Sequence, residues 1–170
     1  MAELKSPRIL AFTLAGIVFL VDRLTKSWIE AAVSPWESLV VIPGFFQIIH
    51  TRNPGAAFSL LADASREVRL FVLVGVSLAV LALISTLLWN ASHHLSNEHR
   101  ILRTGLSLVL GGALGNVYDR VVSGAVTDFL DFHIAGCHWP TFNVADSAIT
   151  VGAGLMLLSM WRGRQEAVRT

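Results

Sequence analysis

Apolar residues in this chain gather into four long runs, not into the short alternating stretches of a soluble sheet protein. The runs fall at about 9–28, 70–89, 101–118 and 144–161, each near the roughly 20 residues that one helical bilayer crossing needs. Leu70 to Trp89 holds no charged residue at all. This pattern predicts four transmembrane helices. Small residues recur at helix-contact spacing, as Gly75/Ala79, Gly111/Gly115 and Ala148/Gly152, and such pairs let helix backbones approach closely in lipid. The expected core is a four-helix bundle. Between the first two runs the period changes. SLVVIPGFFQIIH, Ser38 to His50, is rich in β-branched and aromatic residues and is split by Pro43-Gly44, the pattern of two short strands joined by a turn. RNPGAAFSLLADASR follows and predicts a turn, then a short helix lying at the membrane interface. Later, Val126, Asp128, Leu130 and Phe132 occupy alternate positions, which predicts one more strand, with an acid near its start.

Composition agrees with the membrane reading. The chain has 170 residues, 54% hydrophobic and 15% charged, against about 25% charged in soluble domains. A formal net charge of +1, with no basic stripe and no interleaved aromatics, gives no reason to expect nucleic acid. A lone Cys137 excludes an internal disulfide. Lys5 and Arg8 before the apolar run from Ile9 to Val21 imitate a signal peptide. Asp22, Arg23 and Lys26 then stand where a small-residue cleavage site would be, so the first helix is expected to be retained. Seven Lys and Arg fall on one side of the four spans and six on the other. The dense C-terminal cluster and the N-terminal pair favour both termini in the cytoplasm.

Four alternating spans bring the ends of the first and third beside the starts of the second and fourth. Asp22 and Lys26, four residues apart, share a helix face, as do Gly112, Asn116 and Arg120. Asn143 and Asp146 open the fourth span. All therefore lie at one leaflet, near Asp128. Each has a plain structural reading: Asn143 and Asp146 as a helix cap, Asp22 and Lys26 as an interfacial ion pair, Arg120 as a helix end at the water boundary. Their accumulation in a bundle with so few charges is what those readings leave unexplained. Ionisable groups at membrane depth mark functional sites, and two neighbouring carboxyls can share one proton and activate water. Asp131, His133, Cys137 and His138 form a loose cluster of metal-ligand types, but their spacing matches no zinc pattern. Ser27 and Lys26 are adjacent and so point about 100° apart, which makes a poor nucleophile–base pair. No G-x-S-x-G elbow is present. A carboxyl pair is the enzyme chemistry that remains.

These residues carry a resemblance. VDRLTK at 21–26, TRNPGAAFSLL at 51–61, GGALGNVYDR at 111–120, VTDF at 126–129 and FNVADSAITVG at 142–152 are similar, in order and over nearly the whole chain, to the lipoprotein signal peptidases (signal peptidase II). The resemblance implies a membrane, all-α four-transmembrane-helix bundle with a small extracytoplasmic β-sheet and a short interfacial helix. The extracytoplasmic segments would be about 30–68 and 119–143. It also implies an intramembrane aspartyl endopeptidase of the bacterial inner membrane. Its partners would be membrane lipid and diacylglyceryl-modified prolipoproteins, cleaved just before the lipidated Cys. Carried over by motif, the catalytic acids would be Asp128 and Asp146. Asp22, Lys26, Asn53, Gly55, Asn116, Arg120, Asn143 and Ala145 match the surrounding site. No cofactor and no metal are implied. Pro54 departs from the family, which more often has Thr or Tyr there. The rival class is a small four-helix transporter with Asp22 as its coupling acid. That function needs an acid on a midplane pathway, not acids gathered at one leaflet.

Overall fold

The computed structural model describes residues 7–35, 37–55, 65–92 and 97–169. Four helices account for most of them: α1 (Pro7–Ala32), α2 (Arg66–Ala91), α3 (Asn97–Ser123) and α4 (Val144–Arg169). Each helix extends past the apolar run that predicts it. The ends explain why. Ser65 caps α2 by accepting the Val68 N–H. Gly124, at a φ of +75°, closes α3 with its N–H on the Arg120 carbonyl, a left-handed stop that glycine adopts without penalty. Asp119 and Arg120, expected in the connection after the third run, are therefore part of α3's last turns. The interfacial helix expected after Asn53 lies mostly within 56–64, outside the described residues, as do His93 and His94.

The helix α3 is the centre of the bundle and packs on α1, α2 and α4. Its core contacts are apolar, with Ala11 and Ala15 of α1, Leu81, Ile84 and Leu88 of α2, and Leu106 and Leu110 of α3 buried together. Backbones meet where side chains vanish. A Cβ on Gly105 would stand 2.7 Å from the Gly152 carbonyl, and one on Gly152 2.6 Å from the Gly105 carbonyl, so α3 and α4 touch through this pair. The expected pair at Gly75 does not pack this way, because among the described residues nothing lies within 4 Å of a Cβ there. The bundle's exterior is apolar instead: Phe71 is 81% exposed and Leu157 67%. Among the described residues, two helices contain stretches long and apolar enough to cross a membrane by length and composition, Leu70–Ala91 and Val144–Gln165. The other two carry charges inside their length, among them Asp22, Arg23 and Lys26 in α1 and Arg103, Asp119 and Arg120 in α3.

One end of the bundle carries the sheet. The strands β1 (Ser38–Ile42), β2 (Phe46–Asn53), β3 (Val126–Ile134) and β4 (Cys137–His138) lie in the order β1-β2-β3-β4, and each adjacent pair is antiparallel. The turn at Pro43-Gly44 joins the first two, as the sequence predicts, and Gly44 sits at a φ of +74°. Ile29 and Val33 at the end of α1 bury against Phe129 of β3, with Ile48, Leu130 and Val144 around them. This small cluster fixes the sheet to the ends of α1 and α4, and it thereby sets where Asp128 points.

Candidate active site

Burial here is inverted: the bundle's fully buried side chains include Asp22 and Lys26, both with no exposed surface. A charge out of water needs close partners, and each has them. Lys26 Nζ donates to Asp22 Oδ2 at 2.8 Å and to Asn116 Oδ1 at 3.0 Å, and lies 2.8 Å from Asp119 Oδ2. Arg23 pairs with the other oxygen of Asp119 and stacks its guanidinium over Tyr118. Asp22 Oδ1 accepts the backbone N–H of Ala145 at 2.9 Å, which satisfies one of the free donors at the start of α4. Helix α3 can come this close only because residue 115 is glycine, since a Cβ there would run into the Asp22 carboxylate.

From this base the two acids are held by asparagine amides. Because Lys26 occupies the oxygen of Asn116, the amide nitrogen is turned to Asp146 Oδ1, at 2.7 Å. Asn53 is set in the same way. Its oxygen accepts the Gly55 N–H at 2.9 Å and its nitrogen donates to Asp128 Oδ2 at 3.1 Å. Gly55 has a φ of +92° and a Cβ on it would collide with Leu73 of α2, so this turn requires glycine. Asn143 touches both acids: its side-chain nitrogen donates to Asp128 Oδ1 at 2.7 Å, and its oxygen accepts the Asp146 N–H at 3.0 Å. All ten sequence-predicted residues are thus at this end of the bundle, Arg120 included. Arg120 donates to the Asn116 carbonyl at 3.2 Å and lies within electrostatic reach of Asp146 and Asp128. Its Nε is buried with no hydrogen-bond partner among the described residues.

Asp128 lies on β3, outside the helices, and is 3% exposed. Burial pushes its pKa from 3.8 up to about 6, and the neighbouring Asp146 charge adds to the rise, while the Asn53 and Asn143 amides oppose it. Counting charges in this network, Arg23, Lys26 and Arg120 face Asp22, Asp119, Asp128 and Asp146. The set is electrically neutral when Asp128 and Asp146 hold one proton between them. That is the state in which one acid can give a proton and the other take one.

The sequence reading missed two members of this network. Asp119 is 3% exposed and binds both Arg23 and Lys26; its spacing of three from Asn116 was the available signal. Thr127, buried beside Asp128, donates to Glu30 Oε1 at 2.6 Å. Of the loose cluster of metal-ligand types, Asp131, His133 and His138 come together and Cys137 does not join them. A cavity of about 550 Å³ opens beside them, lined by Phe45, Phe132, Trp139 and Phe142 among others, and neither Asp128 nor Asp146 borders it.

Comparison with known proteins gives one consistent result. The family model described as signal peptidase (SPase) II matches residues 14–162. The lipoprotein signal peptidase of Solibacter usitatus is 46% identical over 157 residues, covering 92% of this chain and 93% of that protein. That of Yersinia enterocolitica is 42% identical over 144 residues, covering 85% of this chain and 82% of the other. Among solved structures, a bacterial membrane enzyme is similar with a TM-score of 0.73 and 31% identity, over 92% of this chain and 90% of that one. A second, also a bacterial membrane enzyme, has a TM-score of 0.73 at 30% identity, over 89% and 92%.

Proposed function

The chain belongs to the signal peptidase II family of membrane hydrolases, which remove signal peptides from prolipoproteins, and from that premise we propose that it does so as an aspartic endopeptidase. The observation that carries this reading is the single amide of Asn143, which touches Asp128 and caps α4 by accepting the Asp146 N–H in its first turn. In the proposed mechanism Asp146, ionised at the N-terminus of α4 where the helix dipole favours negative charge, takes a proton from water. The resulting nucleophile adds to the scissile carbonyl. Asp128, its pKa pushed up to about 6, holds the proton and donates a hydrogen bond to the carbonyl oxygen. When the tetrahedral intermediate collapses, the C–N bond breaks and a proton passes to the leaving amine. Asn116, committed to Lys26 and Asp146, orients the pair. Arg120, with a buried Nε donor that has no partner among the described residues, is left to hold the substrate backbone.

The substrate is a diacylglyceryl-modified precursor, cut just before its lipidated Cys. Exposed apolar side chains at the site's end of the bundle, Leu24, Val121 and Val122, suit a substrate arriving sideways from lipid. The orientation that fits is an inner-membrane protein with four crossings, both termini in the cytoplasm and the sheet outside. Cleavage of a lipidated precursor by the purified chain tests the mechanism. Asp128→Asn and Asp146→Asn should each abolish it in protein that still folds, because Asn keeps the size but cannot exchange the proton. Asp131→Asn should cleave at close to the wild-type rate. An inactive Asp131→Asn together with an active Asp128→Asn would show that the wrong acid has been chosen.

A further inference from the structure

Away from the acid pair, the β3–β4 hairpin brings three donor side chains to one spot, and their placement follows from strand register. Asp131 and His133 are two apart on β3 and so share a face of the sheet. His138 on β4 is the cross-strand partner of His133. The turn between the strands is only Ala135-Gly136, with φ of 51° and 82°, and two central residues at positive φ make the tight hairpin that fixes this register. Cys137 pairs with Ile134 instead, one position out of step, so alternation turns it to the other face.

The two imidazoles stack with centroids 4.8 Å apart and planes 21° from parallel. Both turn the same nitrogen to one carboxylate. His138 Nδ1 lies 2.9 Å from each oxygen of Asp131, and His133 Nδ1 lies 4.0 Å from Oδ2. Hydrogen bonding among these groups leaves a remainder. His133 Nδ1 is buried and has no hydrogen-bond partner among the described residues, an arrangement that is costly when nothing offsets it. Asp131 is held from behind, since Gln47, its cross-strand partner on β2, donates to Oδ2 at 2.6 Å. The contacts from Gln47 and His138 hold the carboxylate oriented towards the two imidazoles.

We propose that Asp131, His133 and His138 form a binding site for a zinc-class divalent metal ion, separate from the hydrolytic acids, which ties β3 to β4. Two imidazole nitrogens and one carboxylate oxygen suit zinc, with water completing the four-fold shell. Ligand atoms of the three residues lie within 4.8 Å of one another. Bonds of about 2.0–2.1 Å put tetrahedral ligands about 3.3 Å apart, so the set has to close by about 1.5 Å. His138 can move that far, because its side chain is 52% exposed. The same exposure gives the ion a way in, and Gln47 supplies the outer hydrogen bond that metal-binding carboxylates use.

The test is metal binding by the metal-free full chain in detergent, with Zn2+ followed by calorimetry and Co2+ by its visible absorption. One equivalent should bind. Asp131→Asn and His133→Gln should each weaken binding at least tenfold, while their cleavage activity shows that they are folded. Cys137→Ser should bind Co2+ as the wild type does, and neither should show a thiolate charge-transfer band. Because His93, His94 and His99 lie close in sequence, the triple His→Ala variant at those positions should keep full affinity. Saturating Zn2+ should also raise the Tm of the wild type and leave that of His133→Gln unchanged. The proposal is overturned if no equivalent binds. Affinity that survives Asp131→Asn and His133→Gln but disappears in the triple variant overturns it as well.

Discussion

Asn143 and Asp146 cap one another: the Asn143 N–H donates to Asp146 Oδ2 at 3.2 Å, and the Asp146 N–H donates to Asn143 Oδ1 at 3.0 Å. This is a reciprocal capping box with an aspartate in the third position. It joins a structural task to a chemical one, because the side-chain nitrogen of Asn143 donates to Asp128. Substitutions can separate the two. Asn143→Ala should lose the cap, about 1 kcal/mol, together with most cleavage. Asn143→Ser keeps a capping oxygen but is too short to reach Asp128, so it should melt near the wild-type temperature and still cleave at least tenfold more slowly. A fully active Asn143→Ser would leave the contact to Asp128 without a role.

The raised pKa of Asp128 makes a prediction about stability. A carboxyl that is easier to protonate in the folded chain than in the unfolded one favours folding at low pH. Its contribution is complete below the unfolded value near 3.8 and is lost as pH rises through about 6. Above that, the folded chain carries a buried charge, which costs up to about 3 kcal/mol for a rise from 3.8 to about 6. Asp128→Asn cannot ionise, so its Tm should exceed that of the wild type at pH 8, and the gap should narrow towards pH 4. Thermal unfolding in detergent across that range reads the difference directly. A gap that does not change with pH would mean that Asp128 titrates normally. Cleavage should fall over the same upper limb, as Asp128 loses its proton.

Gly115 should be among the least tolerant positions in α3. An added methyl would meet the Asp22 carboxylate, the group that anchors both Lys26 and the first turn of α4. Overpacking costs about 1–3 kcal/mol, and here the displaced group belongs to the network behind Asp146. Gly115→Ala should therefore lower both Tm and activity. Gly75→Ala, where a Cβ meets nothing within 4 Å among the described residues, should lower neither. Equal behaviour of the two variants in melting and cleavage would count against the close approach of α1 and α3.

How much was readable in advance depended on whether the cause was local. The four helices, the turn at Pro43-Gly44 and the strand carrying Asp128 all follow from periodicity and turn chemistry. So does the gathering of Asp22, Lys26, Asn116, Arg120, Asn143 and Asp146 at one end, since alternating helices allow little else. Choice of partner is set by tertiary packing and not by local sequence. Spacing alone makes Gly75/Ala79 look like Gly111/Gly115, yet only the second meets a neighbouring helix, with Gly111 against Ala15 and Val18. Nothing local to Asp119 reveals that Lys26, some ninety positions away, sits 2.8 Å from it. The metal-ligand types looked scattered in sequence for a related reason: strand pairing, not spacing, brings His138 opposite His133.

The proposed substrate class carries a thermodynamic requirement. A carboxyl pair at the end of a helix bundle whose outer surface is apolar meets few peptides from water. Two acyl chains change that, since each methylene buried in the bilayer contributes about 0.8 kcal/mol. They hold the precursor in the same layer as the enzyme and restrict it to lateral approach. Exposed Leu24, Val121 and Val122 lie within a turn or so of Lys26 and Arg120, so a lipid resting there would bring the modified Cys close to the polar network. Binding energy from chains remote from the reaction would then serve to position the scissile carbonyl between Asp128 and Asp146, and such energy appears in the rate of the chemical step as well as in affinity. A precursor lacking the diacylglyceryl group should therefore show a kcat/KM at least a hundredfold lower than the lipidated form in the same detergent, with kcat itself reduced. Equal values for the two substrates would remove the lipid from the mechanism and describe a general membrane protease instead.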